Sequence, residues 1–273
     1  MAVSFWNNLL QITKNRVLQQ RGVSLYNYTH GFEEHVIKKK LEQFAGGSIN
    51  LSKDGNGIGV LTVNNPRLMN AFTGTMMLEL QEKVTELENW KEGKGLIIRG
   101  AENTFCSGSD LNVVKALSSM QDGVNTCMFI RNTLTRLMRL MTPGSEIRFV
   151  HKEIGLVPGW GGATRLVQLI GSGNALKLLS GALKVDPERA VSLRLAEEIL
   201  PSSDETGSLE EACTWLNQYT KGPAEVIQAM KKVVIAGREL HLEAALREEK
   251  DIFGTVWGGP AHVQALGQRP KHK

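Results

Sequence analysis

Phe105-Cys-Ser-Gly-Ser-Asp-Leu111 lies between a short branched apolar run, Gly95-Leu-Ile-Ile-Arg99, and a stretch with helical spacing. The apolar run is strand-like by length and β-branching, and its continuous apolarity predicts burial on both faces. A small-Gly-small turn leading from such a strand into a helix leaves successive backbone N–H groups unobstructed by side chains. Those groups have two uses. They stabilise a developing oxyanion, or they belong to an ordinary helix start capped by Ser109 or Asp110.

Upstream, Ser48–Leu51 and Ile58–Val63 flank Lys-Asp-Gly-Asn-Gly at 53–57, which is hairpin chemistry. Residues 32–45 read as a short helix with Val36, Ile37, Leu41 and Phe44 on one side. Helical spacing continues from Thr73 to Asn89 through Met76, Met77, Leu80, Val84 and Leu87. Downstream, helices are expected at 122–140, 163–170, 173–180, 187–194, 208–220, 223–236 and 240–253. Ser208 with Glu211 predicts a capping box, and Gly181, Gly222 and Gly237 predict helix ends. The class is α/β with an α+β flavour. A 1–45 extension carries the short helix, 46–200 forms the core, and 201–273 forms a helical C-terminal region.

A second Gly-rich turn, Gly155-Leu-Val-Pro-Gly-Trp-Gly-Gly162, precedes a helix containing Arg165 and Leu166. No Gly-Lys-Ser/Thr follows it, so it is not a phosphate-cradling loop, and on its own it is a tight packing turn.

Composition narrows the partners. The 273 residues are 41 % hydrophobic and 22 % charged, with a formal net charge of +4. Mean hydropathy is −0.18 and no long apolar run occurs, which argues against a spanning helix. Lys and Arg are dispersed apart from Lys38-Lys39-Lys40 and the tail Lys271-His272-Lys273, a pattern of solvated surface without a nucleic-acid stripe. Cys106, Cys127 and Cys213 have neither disulfide-framework nor metal-ligand spacing, which fits a reducing compartment. The first 31 residues hold Lys14, Arg16 and Arg21 but no acid. That reads either as an N-terminal extension of a cytosolic protein or as a mitochondrial leader.

In order, Asn64-Asn-Pro-Arg-Leu-Met-Asn-Ala71, Met76…Glu79-Leu80, the strand at 96–98, Phe-Cys-Ser-Gly-Ser-Asp and Pro-Gly-Trp-Gly-Gly-x-x-Arg-Leu resemble the crotonase (enoyl-CoA hydratase/isomerase) superfamily. The resemblance covers roughly residues 50–200 and rests on the ordered set of motifs. Closer in, His151-Lys-Glu-Ile-Gly-Leu-Val-Pro, Ser203-Asp-Glu-Thr and Gly254-Thr-Val-Trp-Gly-Gly-Pro260 are similar to the branch that decarboxylates ethylmalonyl-CoA and, less well, methylmalonyl-CoA. It implies a ββα spiral core that takes an acyl-CoA substrate with no separate cofactor. It also implies a homo-trimer or hexamer.

By the same resemblance, Ser109 supplies one backbone N–H to the thioester oxygen. Arg67, Leu68, Met69 and Ala71, with Ser107, Gly108, Asp110 and Leu111, line the CoA, and Pro158 and Gly159 lie near the acyl group. Hydratases carry Glu four residues before the Gly that precedes the Pro-Gly turn, and counting back four from Gly155 lands on His151. Hydration needs a base for water and an acid for Cα, whereas losing CO₂ generates the enolate directly and then needs one proton. An imidazole can hold the leaving carboxylate or supply that proton, where a Glu would repel it. His151 is otherwise a structural strand histidine.

One departure stands out. Crotonases carry a further strand and a Gly-Gly-Gly-x-Glu turn between the helix ending near Arg139 and the strand beginning near Ile147; that turn gives the second oxyanion donor. Here Leu134-Thr-Arg-Leu-Met-Arg-Leu140 runs straight into Met141-Thr-Pro-Gly-Ser145. The absent piece is about two dozen residues, what a strand, turn and helix start require, and the join reads as a skipped exon. Three readings follow: a decarboxylase impaired by the loss, a hydratase or isomerase, and a catalytically dead CoA-binding variant.

Overall fold

A computed structural model describes residues 33–102, 104–133 and 140–267. The basic N-terminal stretch, the C-terminal tail and most of the join before Leu140 lie outside the described residues. Helix α1 (Glu34–Leu41) is followed by strands β1 (Ser48–Lys53) and β2 (Ile58–Asn64), helix α2 (Gly74–Glu88) and strand β3 (Gly95–Gly100). β1 and β2 form the expected antiparallel hairpin, and β3 adds to β2 in parallel, giving the order β1-β2-β3. The hairpin turn is closed by the Asp54 carboxylate, which accepts the N–H groups of Asn56 and Ile58.

Thr73 caps α2 by accepting the Met76 N–H, while its own hydroxyl donates to the Gly46 carbonyl. Gly74 opens the helix because a Cβ there would lie 2.0 Å from the Leu41 carbonyl oxygen. That clearance lets α2 start against the end of α1. Ile49, Leu61 and Val63 from the sheet then pack on Met76 and Leu80 of α2. Each such side chain contributes about 1.5–3 kcal/mol of burial.

Past β3, α3 (Leu111–Ala116) and α4 (Met120–Thr133) bring Val113, Met128, Phe129 and Ile130 against Ile37, Leu41 and Met77. The chain continues through β4 (Leu140–Met141), β5 (Ile147–Arg148), α5 (Gly162–Gly181), β6 (Lys184–Val185), α6 (Pro187–Ser192) and β7 (Glu198–Ile199). β4 pairs in parallel with β7, and β5 pairs antiparallel with β6. A separate core of Met141, Leu166, Ile170, Leu178, Val185 and Leu195 sits beneath them. Among the described residues four helices follow: α7 (Glu205–Asn217), α8 (Ala224–Glu239), α9 (Leu242–Val256) and α10 (Pro260–Gly267). Among the described residues no helix is long and apolar enough to cross a membrane.

Several expectations need correction. β3 is half-buried along its whole length. Among the described residues it pairs with β2 alone, so one edge has no strand beside it. The segment after Ile147 leaves the extended state at Arg148, and His151 lies in a 3-10 turn, His151–Ile154, because β6 offers only two pairing residues. The Ser208–Glu211 capping box does not form. α7 starts earlier, where Asp204 accepts the Gly207 N–H, and Glu211 instead accepts from the N–H and hydroxyl of Ser202. Gly237 lies inside α8, and Ala182, one residue past Gly181, takes the left-handed cap. The break expected between 170 and 173 is real: Gly171 has φ +76° inside α5.

α4 is tied to α1 through Asp122, whose carboxylate accepts from Lys40 Nζ at 2.6 Å and from the Ser119 hydroxyl at 2.8 Å. The Lys40 hydrogen bond, then that of Ser119, holds the Asp122 carboxyl below its ordinary range. A folded pKa lowered in this way stabilises the fold above the unfolded carboxylate pKa, and the contribution is lost as pH falls through the folded value. Asp122→Asn is therefore expected to lower Tm by a few degrees at pH 7, with the difference vanishing in acid below the ordinary carboxylate range. Thermal melts across that pH range check it.

Candidate active site

At the end of β3 the chain doubles back on itself. A Cβ at Gly100 would lie 2.0 Å from the Thr104 carbonyl oxygen and 2.4 Å from that of Phe105, so only glycine fits. The following turn runs beside residue 72 as an isolated parallel bridge between Phe72 and Ser109. The Phe72 N–H donates to the Gly108 carbonyl at 2.8 Å, and the Asp110 N–H donates to the Phe72 carbonyl at 2.9 Å. In a parallel bridge the residue between those two groups turns its own N–H away from the partner strand. Ser109 is that residue. Gly108 supplies the φ of +110° that the turn requires, with open space around its missing Cβ.

Asp110 caps α3 by accepting the Asn112 N–H at 2.6 Å. The cap thus falls on Asp110, so it makes no use of the neighbouring Ser109 N–H. Cys106 braces the same turn: its sulfur accepts the Gly108 N–H at 3.2 Å. Burial pushes the Cys106 thiol above its ordinary pKa, against a smaller pull from its hydrogen bond to Gly108. The thiol is therefore a structural brace and a poor nucleophile.

The loop with Arg67, Leu68, Met69 and Ala71 comes against this turn, as the resemblance implies. The Ser107 N–H donates to the Met69 carbonyl at 3.0 Å, and the Ser107 hydroxyl donates to the Leu68 carbonyl at 3.2 Å. Arg67, Leu68 and Met69 are exposed while Ala71 is buried. Phe105 and Leu111 add exposed apolar surface on the same pair of loops. Two residues outside the expected site organise it: Phe72, by its backbone, and Asn70, which is fully buried. Both lie inside or beside the quoted Asn64–Ala71 motif, but only the fold reveals where their hydrogen bonds go.

The second turn is anchored separately. Trp160, at φ +43°, packs into the core containing Val113, Met128 and Phe129, which links it to the helix that starts beside Ser109. Gly159 faces Cys127 of α4, with 3.7 Å between its Cβ position and the sulfur, and Pro158 lies against Gly162. Arg165 donates to the Trp160 carbonyl at 2.8 Å, and a Cβ on Gly161 would meet that guanidinium at 2.9 Å. His151 is half-buried at the start of its turn, and its carbonyl accepts the Leu156 N–H. Its Nδ1 is enclosed without a hydrogen-bond partner among the described residues. The first and second turns therefore share a core through Trp160 and Val113, while no described contact joins His151 directly to Ser109.

The family profile described as Enoyl-CoA hydratase/isomerase matches residues 53–143, which spans both loops of the first turn. A Gallus gallus protein named ethylmalonyl-CoA decarboxylase is 68 % identical over 298 aligned positions, covering 99 % of this chain and 100 % of the relative. A Xenopus laevis protein of the same name is 55 % identical over 300 positions, covering 100 % of both. Those 300 positions exceed the 273 residues here, so at least 27 positions of the frog protein have no counterpart in this chain. Among solved structures, an enoyl-CoA hydratase from Bacillus anthracis superposes with TM-score 0.71 at 20 % identity, over 81 % of this chain and 95 % of that one. That likeness establishes the fold. The identity across nearly the whole length establishes more: the chain belongs to the enoyl-CoA hydratase/isomerase family, among the relatives named ethylmalonyl-CoA decarboxylase.

Proposed function

We propose that this site is built to decarboxylate ethylmalonyl-CoA and, less well, methylmalonyl-CoA, removing an aberrant malonyl-type thioester. The observation that carries the reading is the Ser109 N–H turned out of the Phe72 bridge, in a chain 68 % identical to a protein named for that reaction. The exposed loops around Arg67–Met69 and Ser107–Leu111 hold the CoA. With the thioester oxygen at the Ser109 N–H, the bond between Cα and the carboxylate breaks. Its electron pair moves into the thioester as an enolate, and CO₂ leaves. The enolate then takes one proton at Cα, giving butyryl-CoA. His151 holds the carboxylate or delivers that proton. No separate cofactor is required, because the coenzyme is part of the substrate.

Hydration is the weaker reading, since it needs a carboxylate base where His151 stands. Met230 and Val234 on α8, Leu242, Leu246 and Phe253 on α9, and Trp257 just beyond are exposed apolar side chains, which supports a homo-trimer or hexamer. The cysteine spacing supports a cytosolic location, with a mitochondrial one as the alternative.

The positions without counterpart, at least 27, are enough for the strand and turn that bring the second oxyanion donor in crotonases. Losing one such donor costs about 10²–10³ in rate. The edge of β3 that has no strand among the described residues adds instability, because unpaired N–H and C=O groups invite wrong pairing.

Labelled CO₂ release from ethylmalonyl-CoA tests the proposal. A form carrying the relatives' additional segment is expected to turn over at least about 10²-fold faster than this chain and to melt at a higher temperature. Equal rates contradict the two-donor account. In the longer form, His151→Ala is expected to lower turnover by about 10²-fold, and unchanged turnover reduces His151 to a structural residue. Hydration of crotonyl-CoA at a comparable rate promotes the hydratase reading.

A further inference from the structure

Asn70 is 0 % exposed and carries a polar side chain into the interior, which is costly unless every group finds a partner. Its Oδ1 accepts the Asn65 N–H at 2.7 Å, and its Nδ2 donates to the Ala101 carbonyl at 2.8 Å and to the Thr104 carbonyl. Both amide protons are thus used. The backbone of Asn70 closes the loop as well, donating to the Asn65 carbonyl at 2.9 Å. Met69 and Asn70 are consecutive left-handed residues, at φ +51° and +55°, a conformation that Asn tolerates and a longer chain such as Met adopts reluctantly. The carboxamide holds that conformation from inside.

From this geometry we infer that Asn70 is a positioning residue for the Ser109 N–H. The carbonyls it clamps, Ala101 and Thr104, lie on the doubled-back loop after Gly100, immediately upstream of the Cys106–Asp110 turn. The Phe72 bridge fixes that turn from its downstream side, and Asn70 fixes it from upstream. The same side chain holds Asn65, and through it the Arg67–Met69 loop that receives Ser107. One buried amide therefore sets the separation between the two loops and the direction of the donor. This rests on the acyl-CoA reading for its consequence, but the clamp itself is independent of any ligand.

The test compares three variants of the 273-residue chain. Asn70→Asp preserves shape and loses both donors. Asn70→Gly loses the amide yet adopts φ +55° without strain, so it keeps the test decisive if the Asp variant does not fold. Ala175→Gly loosens the C-terminal core, away from the loops. Hydrogen exchange of peptides spanning 105–111 and 187–200 is read by mass spectrometry, and butyryl-CoA affinity by calorimetry. Both Asn70 variants are expected to exchange at least tenfold faster in 105–111 with 187–200 unchanged, and to bind butyryl-CoA at least tenfold more weakly. Ala175→Gly is expected to lower Tm without either effect. Unchanged exchange in 105–111, or exchange raised equally in both peptides, overturns the inference. If the unmutated chain binds no butyryl-CoA while 105–111 still loosens on losing Asn70, the positioning role stands and the acyl-CoA reading falls.

Discussion

The two hydrogen bonds that Phe72 exchanges with Gly108 and Asp110 are the point at which fold becomes chemistry. They lie downstream of a hairpin, a helix and a parallel strand that have only to deliver two loops to the same place. Gly74 permits α2 to start against α1, and Gly100 permits the chain to fold back on itself. Given those two clearances and the loops held in place by Asn70, the bridge orients Ser109 by ladder geometry. A backbone donor fixed in this way needs no reorganisation as charge develops, which is the physical content of an oxyanion hole.

The proposed role of His151 follows from the reaction. A site that loses CO₂ has no water to activate, so a carboxylate base is unnecessary and its charge unfavourable beside the substrate carboxylate. An imidazole whose Nδ1 is enclosed and unpartnered has a free hydrogen-bonding group to commit to a ligand. β3 pairs with β2 alone among the described residues, and the frog relative has positions this chain lacks. In the proposal, the loops that hold the nucleotide end precede the Leu140–Met141 join, so binding and turnover are separable. In the proposed reaction, recognition of the substrate falls to the first half of the chain and its conversion to a neighbour of β3.

Much of this was readable from residue types. The turn at 53–57 announced the hairpin, helical spacing from Thr73 announced α2, the gap between the helices expected at 163–170 and 173–180 announced the break in α5, and Ser-Gly-Ser-Asp announced the turn into α3. The misreadings have physical causes. Ser208 and Glu211 fit a capping box by spacing, but Asp204 lies earlier and takes the helix start, while Glu211 finds Ser202 instead. Leu96–Ile98 look like a strand buried on both faces because the sequence retains the apolar character of a central strand. What such a strand touches is a tertiary property, and here it is half-buried. Asn70 was visible within its motif but not as an organiser. Its partners, Ala101 and Thr104, are backbone carbonyls about thirty positions away, and no residue type reports them.

The central claim is that the Ser109 N–H points out of the Phe72 bridge and receives the thioester oxygen. The most direct measurement is the amide resonance of Ser109 in the ¹⁵N-labelled chain during titration with butyryl-CoA. The account predicts a downfield proton shift at Ser109 as the thioester binds, larger than at Gly108 or Asp110, whose backbone carbonyl and N–H already serve the bridge. Saturable shifts at Met69 and Ser107 with Ser109 unmoved would show that CoA binds here while its thioester goes elsewhere, contradicting the account.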